Sequence, residues 1–300
     1  MASRTIDQKP SADDFAKARE LIEIRGAAAL SLQDRRVVNL LYKNAGSRLC
    51  DDVDHVISIA ELRGPSHKGG ERVKDSIVRL MSTLVQVPVV GENGKSSTRR
   101  VQILSDTTTS DDENDPTGQV VYSFSKGMRR IIKDSTLWGR VRTGVIFAFT
   151  SKYSLTLYEL ITARINLKYK WEDEFSVKDL RGLLGVPEDK LLRMPDLLRN
   201  CVNVAVVEVN GMADFKVKIE PIRKGGAIRG NVTGFRVSWC EKSAQELQEA
   251  FQEIKRAKVG RIARLTGKVE KLEPNRPRLP SPADHAELDA RLQKMREAAE

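Results

Sequence analysis

Ser176-Val-Lys-Asp-Leu-Arg-Gly-Leu-Leu-Gly185 has the composition and the end signals of a short helix. Ser176 is a favourable N-cap, Asp179 places a stabilising negative charge in the first turn, and Gly185 is a typical C-terminal stop. A longer helix is predicted over residues 196–209. This segment therefore predicts two consecutive helices.

The residues that follow change from helical to alternating periodicity. Strands are predicted over residues 215–220 and 234–239, and residues 222–233 between them are rich in Lys, Arg and Gly. A further helix over residues 154–166 precedes the group. Helices followed by a hairpin are the layout of a winged helix, whose second helix enters a DNA major groove while the hairpin touches the backbone or the minor groove.

The first half of the chain has the same order of elements without an obvious sequence repeat. Val73, Ile77, Leu80 and Leu84 recur at helical spacing and predict the buried stripe of the helix that follows Gly70. The predicted elements are helices that begin near Asp14, at Ser31, at Ser58 and after Gly70, and strands over residues 85–90, 100–104 and 119–124. The turn at residues 91–94 joins the first two strands, and the acidic residues 106–118 join the last two.

The expected fold class is therefore α+β, with two tandem winged-helix domains, each a helix-turn-helix plus a β-wing. We expect a flexible N-terminal arm over residues 1–14, a first domain over 15–145, a second over 146–240, and a basic, helical and Pro-rich tail over 241–300.

The tail has two interpretations, which the sequence leaves open. Residues 255–268 contain six Lys or Arg and no acidic residue, and these cations are suited to lie along DNA phosphates. Alternatively, the helix packs back on the second domain through the narrow apolar stripe of Leu247, Phe251 and Ile254, with the basic residues merely solvated.

The charge balance favours a polyanionic partner. The chain has 51 Lys and Arg against 41 Asp and Glu, a net charge of +10, and such an excess attracts nucleic acid through salt-sensitive counterion release. The three cysteines are far apart, which fits a reducing compartment rather than a disulfide framework. We find neither a signal peptide nor an apolar run of membrane-spanning length, so we expect a cytoplasmic protein that does not bind membranes.

Residues for catalysis are not found in a recognisable pattern. The three histidines are scattered, no His-x-His pair or Cys/His zinc spacing occurs, and no phosphate-binding G-x-x-x-x-G-K-[ST] loop is present. Tyr153 and Tyr158 are spaced like nicking tyrosines, but without metal ligands nearby the better interpretation is packing. We therefore expect no enzymatic activity, no metal and no cofactor.

Basic and amide side chains instead fall where a winged helix contacts DNA. Arginine recognises guanine and asparagine recognises adenine through paired hydrogen bonds. The alternative for each residue is an ordinary solvated helix face. The candidates are Lys68, Arg72, Lys74 and Arg79 on the first recognition helix, Arg99 and Arg100 on the first wing, Arg193, Arg199, Asn200 and Asn203 before or on the second recognition helix, and Lys224 and Arg229 on the second wing.

The second half also resembles a known family. Ser151-Lys-Tyr-Ser-Leu-Thr-Leu-Tyr-Glu-Leu160, the stretch 176–185, the stretch 196–210, Lys224-Gly225 and Gly234-Phe-Arg-Val237 are similar in order and spacing to iteron-binding plasmid replication initiators, the Rep proteins. The first half matches mainly by element order.

The resemblance implies a function and a set of partners. Such proteins bind iterons, the direct repeats of a plasmid origin, as monomers, and they open the duplex and recruit the host initiator and helicase machinery. They often dimerise through the first domain to repress their own gene. By resemblance, Arg199, Asn200 and Asn203 lie on the second recognition helix, although Leu198 and Asn200 replace residues that are often basic in the family. The alternatives are a winged-helix transcriptional repressor and, from the enzyme class, a nicking replication protein.

Overall fold

Two three-stranded antiparallel sheets with the same strand order organise the computed structural model. The structure describes residues 13–64, 71–90, 94–109, 118–167, 169–226 and 230–268. The candidate residues Lys68 and Arg229, most of the N-terminal arm and the Pro-rich end of the tail lie outside these ranges.

The described chain begins with a strand where the sequence predicts a helix. Strand β1 (Asp14–Ala18) precedes a single helical turn, α1 (Arg19–Ile22). Asp14 pairs with Arg142 and Ala18 with Trp138 in an antiparallel ladder. The prediction of a helix from Asp14 was wrong because the strand partner is distant in sequence and leaves no local signal.

The helices predicted at Ser31, at Ser58 and after Gly70 are present in that order, and both serines form capping boxes. The strands differ from the prediction: His55–Ser58 is an additional strand, and Leu104–Thr109 is a strand paired with Gln119–Phe124, although residues 106–109 were expected in the connecting segment. Ser31 and Asp34 cap one helix reciprocally, and Ser58 and Glu61 cap the next. Its elements are α2 (Leu32–Ala45), β2 (His55–Ser58), α3 (Ile59–Arg63), α4 (Glu71–Ser82), β3 (Leu84–Val90), β4 (Ser96–Gln102), β5 (Leu104–Thr109) and β6 (Gln119–Phe124). Leu84 is 51% exposed and begins β3, so it does not belong to the buried stripe of α4.

The segment between the two winged helices is itself structured. It consists of α5 (Lys126–Lys133), β7 (Trp138–Arg142), which pairs with β1, and α6 (Thr143–Ala148). Residues 149–151, after the end of α6, then lead into the second winged helix.

The second winged helix confirms the helix signals at Ser176 and Gly185. Ser176 accepts a hydrogen bond from the Asp179 amide, and Gly185 ends the helix in the left-handed conformation. The elements are α7 (Lys152–Thr162), β8 (Glu172–Ser176), α8 (Val177–Leu184), α9 (Met194–Leu197), α10 (Asn203–Met212), β9 (Phe215–Arg223) and β10 (Val232–Glu241), followed by α11 (Ala244–Lys255) and α12 (Arg261–Leu265). Strand β8 escaped sequence prediction because it is acidic and lacks apolar alternation.

The two sheets show which hairpin of the first domain is its wing. The second sheet has the order β8-β10-β9, and the first has the matching order β2-β6-β5. The wing of the first domain is therefore the β5–β6 hairpin, whose tip at residues 110–117 lies outside the described ranges. Hairpin β3–β4 forms a separate two-stranded sheet, so the placement of Arg99 and Arg100 on a wing was wrong.

Both winged helices share one hydrophobic core, and a buried polar cluster lies inside it. The Lys17 ammonium on β1 lies 2.9 Å from the Glu159 carboxylate on α7 and donates to Asn39 on α2 at 2.8 Å. Asn39 in turn donates to Glu159 at 2.6 Å. Burial lowers the pKa of Lys17, although the Glu159 carboxylate opposes this shift. The three side chains connect the first domain to the opening helix of the second.

We expect the Lys17–Glu159 pair to be essential for stability. Glu159→Gln keeps the shape but leaves a buried ammonium without its counter-charge, which should lower the free energy of unfolding by about 3–5 kcal/mol in urea denaturation. The control is Glu220→Gln, which breaks the exposed Lys218–Glu220 pair and should cost less than about 1 kcal/mol. Equal losses in the two variants would contradict the assignment.

Candidate nucleic-acid interface

The recognition helix of the second domain runs from Met194 to Met212 through α9, a π-helical turn at Leu198–Val202, and α10. Its buried stripe recurs every four residues, at Leu197, Cys201, Ala205 and Val209. Burial raises the pKa of the Cys201 thiol to about 12, as expected for a core residue.

Arg199, Asn200 and Asn203 are all exposed on the opposite side of this helix. Their spacing of three and four residues places them on one face. Arg199 and Asn200 lie within the π-helical turn. Such turns are frequent at functional sites, since the extra residue re-aims the side chains around it.

Asp196 organises the arginines at the start of this face. Its carboxylate lies 3.1 Å from Arg199 Nη2 and 4.0 Å from Arg193 Nε. The Arg199 side chain remains 76% exposed and that of Arg193 is 81% exposed. Exposed ion pairs contribute little stability, so a phosphate or a base edge can replace Asp196 at small cost.

The wing of the second domain has an exposed lysine, Lys224, at its start. Lys224 follows β9 directly, and its amide donates to the Asn231 carbonyl at 3.0 Å. Arg223 donates to the Gly230 carbonyl at 2.9 Å, which ties the two sides of the hairpin together. Lys224 is therefore available to a ligand, whereas Arg223 stabilises the wing.

The corresponding helix of the first domain, α4, presents a different mixture of charges. Arg72 is exposed and Lys74 is half-buried, but Asp75 and Val78 are also exposed there. The sequence of the first wing is acidic as well, with Asp111, Asp112, Glu113 and Asp115. Acidic side chains of this kind are repelled by phosphates.

Arg79 on α4 is engaged with its own protein. Its Nη2 lies 2.9 Å from Asp34 Oδ1, and its Nε bonds both carboxylate oxygens at 3.1 Å. Burial of Asp34 by itself would raise the pKa of that carboxyl, but the hydrogen bonds from Arg79, Ser76 and Ser31 outweigh it and lower the pKa. The pair stabilises the contact between α2 and α4.

Arg99 and Arg100 are neighbours on β4 and so point to opposite sides of the β3–β4 hairpin. Arg99 is half-buried in a groove between this hairpin and α5, where Arg130 also lies. Arg100 is exposed. Neither residue lies on the three-stranded sheet that carries the first wing.

The structure shows the surroundings of the two tyrosines considered as nucleophiles. Tyr158 is buried, its hydroxyl accepts a hydrogen bond from the Arg142 amide at 3.0 Å, and burial raises its pKa. Burial also raises the pKa of Tyr153. Both shifts disfavour the phenolate.

In the described ranges no three His, Cys, Asp or Glu side chains are grouped as metal ligands. Nor does any helix in the same ranges have the length and apolar character needed to cross a membrane.

The fold and the exposed face of the second recognition helix define a tandem winged-helix protein. A family model for the first winged-helix domain (WH1) of initiator replication proteins matches residues 14–162, and one for the second (WH2) of initiator Rep proteins matches residues 176–239. The chain belongs to the initiator Rep protein family.

A solved structure supports the same fold. The crystal structure of the Pi initiator protein in complex with iteron DNA matches with a TM-score of 0.53 and 18% sequence identity, covering 77% of this chain and 98% of that chain. A search of curated proteins finds no significant match. The first family model includes α7, which contacts both domains, so the expected boundary between residues 145 and 146 stays a prediction.

Proposed function

We propose that this protein initiates plasmid replication by binding iterons, the direct repeats of the plasmid origin, as double-stranded DNA. The observation that carries the proposal is the exposed face of Arg199, Asn200 and Asn203 on the second recognition helix, in a chain of the initiator Rep family. The Pi initiator, which has the same fold, is bound to iteron DNA in its crystal structure.

The chemistry of the second recognition helix suits sequence recognition. Arg199 can bind guanine, Asn200 and Asn203 can bind adenine, and Lys224 can bind phosphate on the adjacent backbone. Leu198 packs against the core, so the position that is often basic in relatives is apolar here. The base preference therefore rests on the two asparagines and one arginine.

The first domain has a secondary part in this proposal. Arg72, Lys74, Arg99 and Arg100 add phosphate contacts, while Arg79 is held by Asp34. The protein acts in the cytoplasm without catalysis of its own, opens the origin and recruits the host initiator and helicase. Repression of its own gene, and hence copy control, is a further role of the same DNA binding.

Footprinting on the DNA that flanks its own gene tests the proposal. An initiator should protect an array of direct repeats beside an AT-rich segment. If about six phosphates are contacted, log K against log salt should have a slope of about −5. Protection of a single inverted repeat over a promoter would favour the transcriptional repressor, and a slope shallower than about −2 would exclude an extensive footprint.

We expect Arg199 and Lys224 to have different roles. Arg199→Ala should cost about 1–3 kcal/mol on the specific site and relax the preference at one base pair, because a base contact is lost. Lys224→Ala should weaken cognate and random DNA equally and reduce the salt slope by about 1. Competition binding measures both. A uniform loss for Arg199→Ala would mean that this arginine contacts only phosphate.

We also propose that the protein self-associates through the first domain. Strand β4 pairs with β3 on one side, and no described strand covers its other edge. Gln86 bonds Arg25 on the outer side of β3, so the alternating backbone places Thr98 on the open side of β4. Exposed edges pair readily with a second chain.

Light scattering over a concentration series tests this interface. Thr98→Pro removes an edge donor and should abolish the dimer, whereas Thr98→Val keeps the backbone and should not. A dimer that survives Thr98→Pro would place the interface elsewhere.

A further inference from the structure

Residues 146–151 consist of the last turn of α6 and the three residues that precede α7, and we call them the linker between the two winged helices. Side chains from distant elements bind the backbone of this linker. Arg36 on α2 donates to three of its carbonyls, those of Ile146 at 3.2 Å, Phe147 at 3.1 Å and Phe149 at 2.5 Å. Arg36 is buried, so these bonds are shielded from water. The first domain thus holds one side of the linker.

The recognition helix holds the end of the same linker. Glu208 on α10 accepts hydrogen bonds from the Thr150 amide at 3.1 Å, the Thr150 hydroxyl at 2.5 Å and the Ser151 amide at 3.3 Å. The carboxylate is 0% exposed and lies at the N-terminus of α7, where a negative charge is favoured. Glu208 therefore ties the linker to the helix that carries the proposed base-reading residues.

Arg261 completes the set from beyond the second winged helix. Its guanidinium, in a residue only 1% exposed, donates to the Ala148 carbonyl at 2.5 Å and lies 3.2 Å from the Glu253 carboxylate. It also donates to the carbonyls of Glu253 and Arg256. The sequence grouped Arg261 with five solvated or phosphate-binding cations, but the structure buries it.

The tail helix itself is attached independently of Arg261. Lys242 donates to the carbonyls of Asn210 at 2.6 Å and Ala213 at 2.7 Å, at the end of the recognition helix. Glu246 pairs with Lys216 on β9. Ala250 is buried and Ile254 packs on the core, whereas Leu247 and Phe251 of the expected apolar stripe are exposed. We therefore expect helix α11 to remain docked when Arg261 is replaced.

We infer that Arg261 is a positioning residue for DNA recognition: with Arg36 and Glu208 it fixes the linker, and so the spacing at which the two winged helices meet DNA. The role of Arg261 at DNA rests on the proposed function. The hydrogen bonds from Arg36, Glu208 and Arg261 to the linker, which we call the clamp, are a property of the folded chain. A planar guanidinium with several donors suits a site that presents one carboxylate and three carbonyls.

Limited chymotrypsin digestion of the full chain tests the clamp without DNA. Cleavage after Phe147 or Phe149 should be at least about tenfold faster in Arg261→Ala than in the wild type, since proteolysis follows local opening. Arg256→Ala is the matched control, because Arg256 is an exposed partner of the same Glu253 and should leave the rate unchanged. A cooperative thermal transition would show that Arg261→Ala is folded. If its rate of linker cleavage then equals that of the wild type, the clamp is overturned, whether or not the protein binds DNA.

A spacing assay tests the consequence for recognition. Two base pairs, about a fifth of a helical turn, are inserted between the parts of the footprint covered by the two domains. The insertion should weaken wild-type and Arg256→Ala binding at least about tenfold, and this penalty should fall to about threefold or less in Arg261→Ala. Glu208→Gln removes the carboxylate that accepts the hydrogen bonds of Thr150 and Ser151 at the other end of the linker. This variant should behave like Arg261→Ala and serves in its place if Arg261→Ala does not fold. Equal penalties in all proteins would overturn the positioning role, whereas the absence of any footprint for the wild type would instead refute the proposed function.

Discussion

The carboxylate of Glu159 is buried where the two winged helices meet, and much of the architecture follows from the need to neutralise it. A buried charge costs several kcal/mol unless it is paired and hydrogen-bonded. Lys17 and Asn39 meet that need from two different elements, β1 and α2. Strand β1 thus brings Lys17 to Glu159 on α7 while it pairs with β7 in a small sheet.

Further ionic contacts extend from this cluster along the junction. Arg164, buried after α7, bridges Glu23 at 2.5 Å and Asp173 at 2.8 Å, and Arg25 pairs with Asp179 on α8 at 2.7 Å. Gly185 has a φ of +69°, and a Cβ at this position would lie 2.4 Å from a nitrogen of Arg35. The glycine thus both ends α8 and leaves room for an arginine of the other domain. The folded protein, and not a loose tether, sets the distance between the two recognition helices.

The two domains have the same topology but different surfaces. The second carries a face of one arginine and two asparagines and has a basic wing. The first has Arg72, Lys74 and Asp75 on the equivalent helix, an arginine already held by Asp34, and an acidic wing sequence. The two winged helices therefore share a topology and differ in the side chains that surround their recognition helices.

The sequence by itself determined the helix ends and the class of fold. Ser31, Ser58, Ser176 and Gly185 act through hydrogen bonds to residues within a few positions, so their roles are visible locally. The order of helices and strands, together with the motifs of residues 151–237, was enough to indicate the family. The resemblance also placed Arg199, Asn200 and Asn203 on the second recognition helix, where the structure has them.

Only the tertiary structure decided which charges are solvated and which hairpin is the wing. Arg36, Arg79 and Arg261 look like any other surface cations in the sequence, yet each bonds a carbonyl or carboxylate from a distant part of the chain. The sequence predicts that hairpin β3–β4 is the wing, but the three-stranded sheet of the domain consists of β2, β5 and β6 and excludes this hairpin. Burial and strand pairing depend on residues far apart in sequence, and local periodicity carries no information about them.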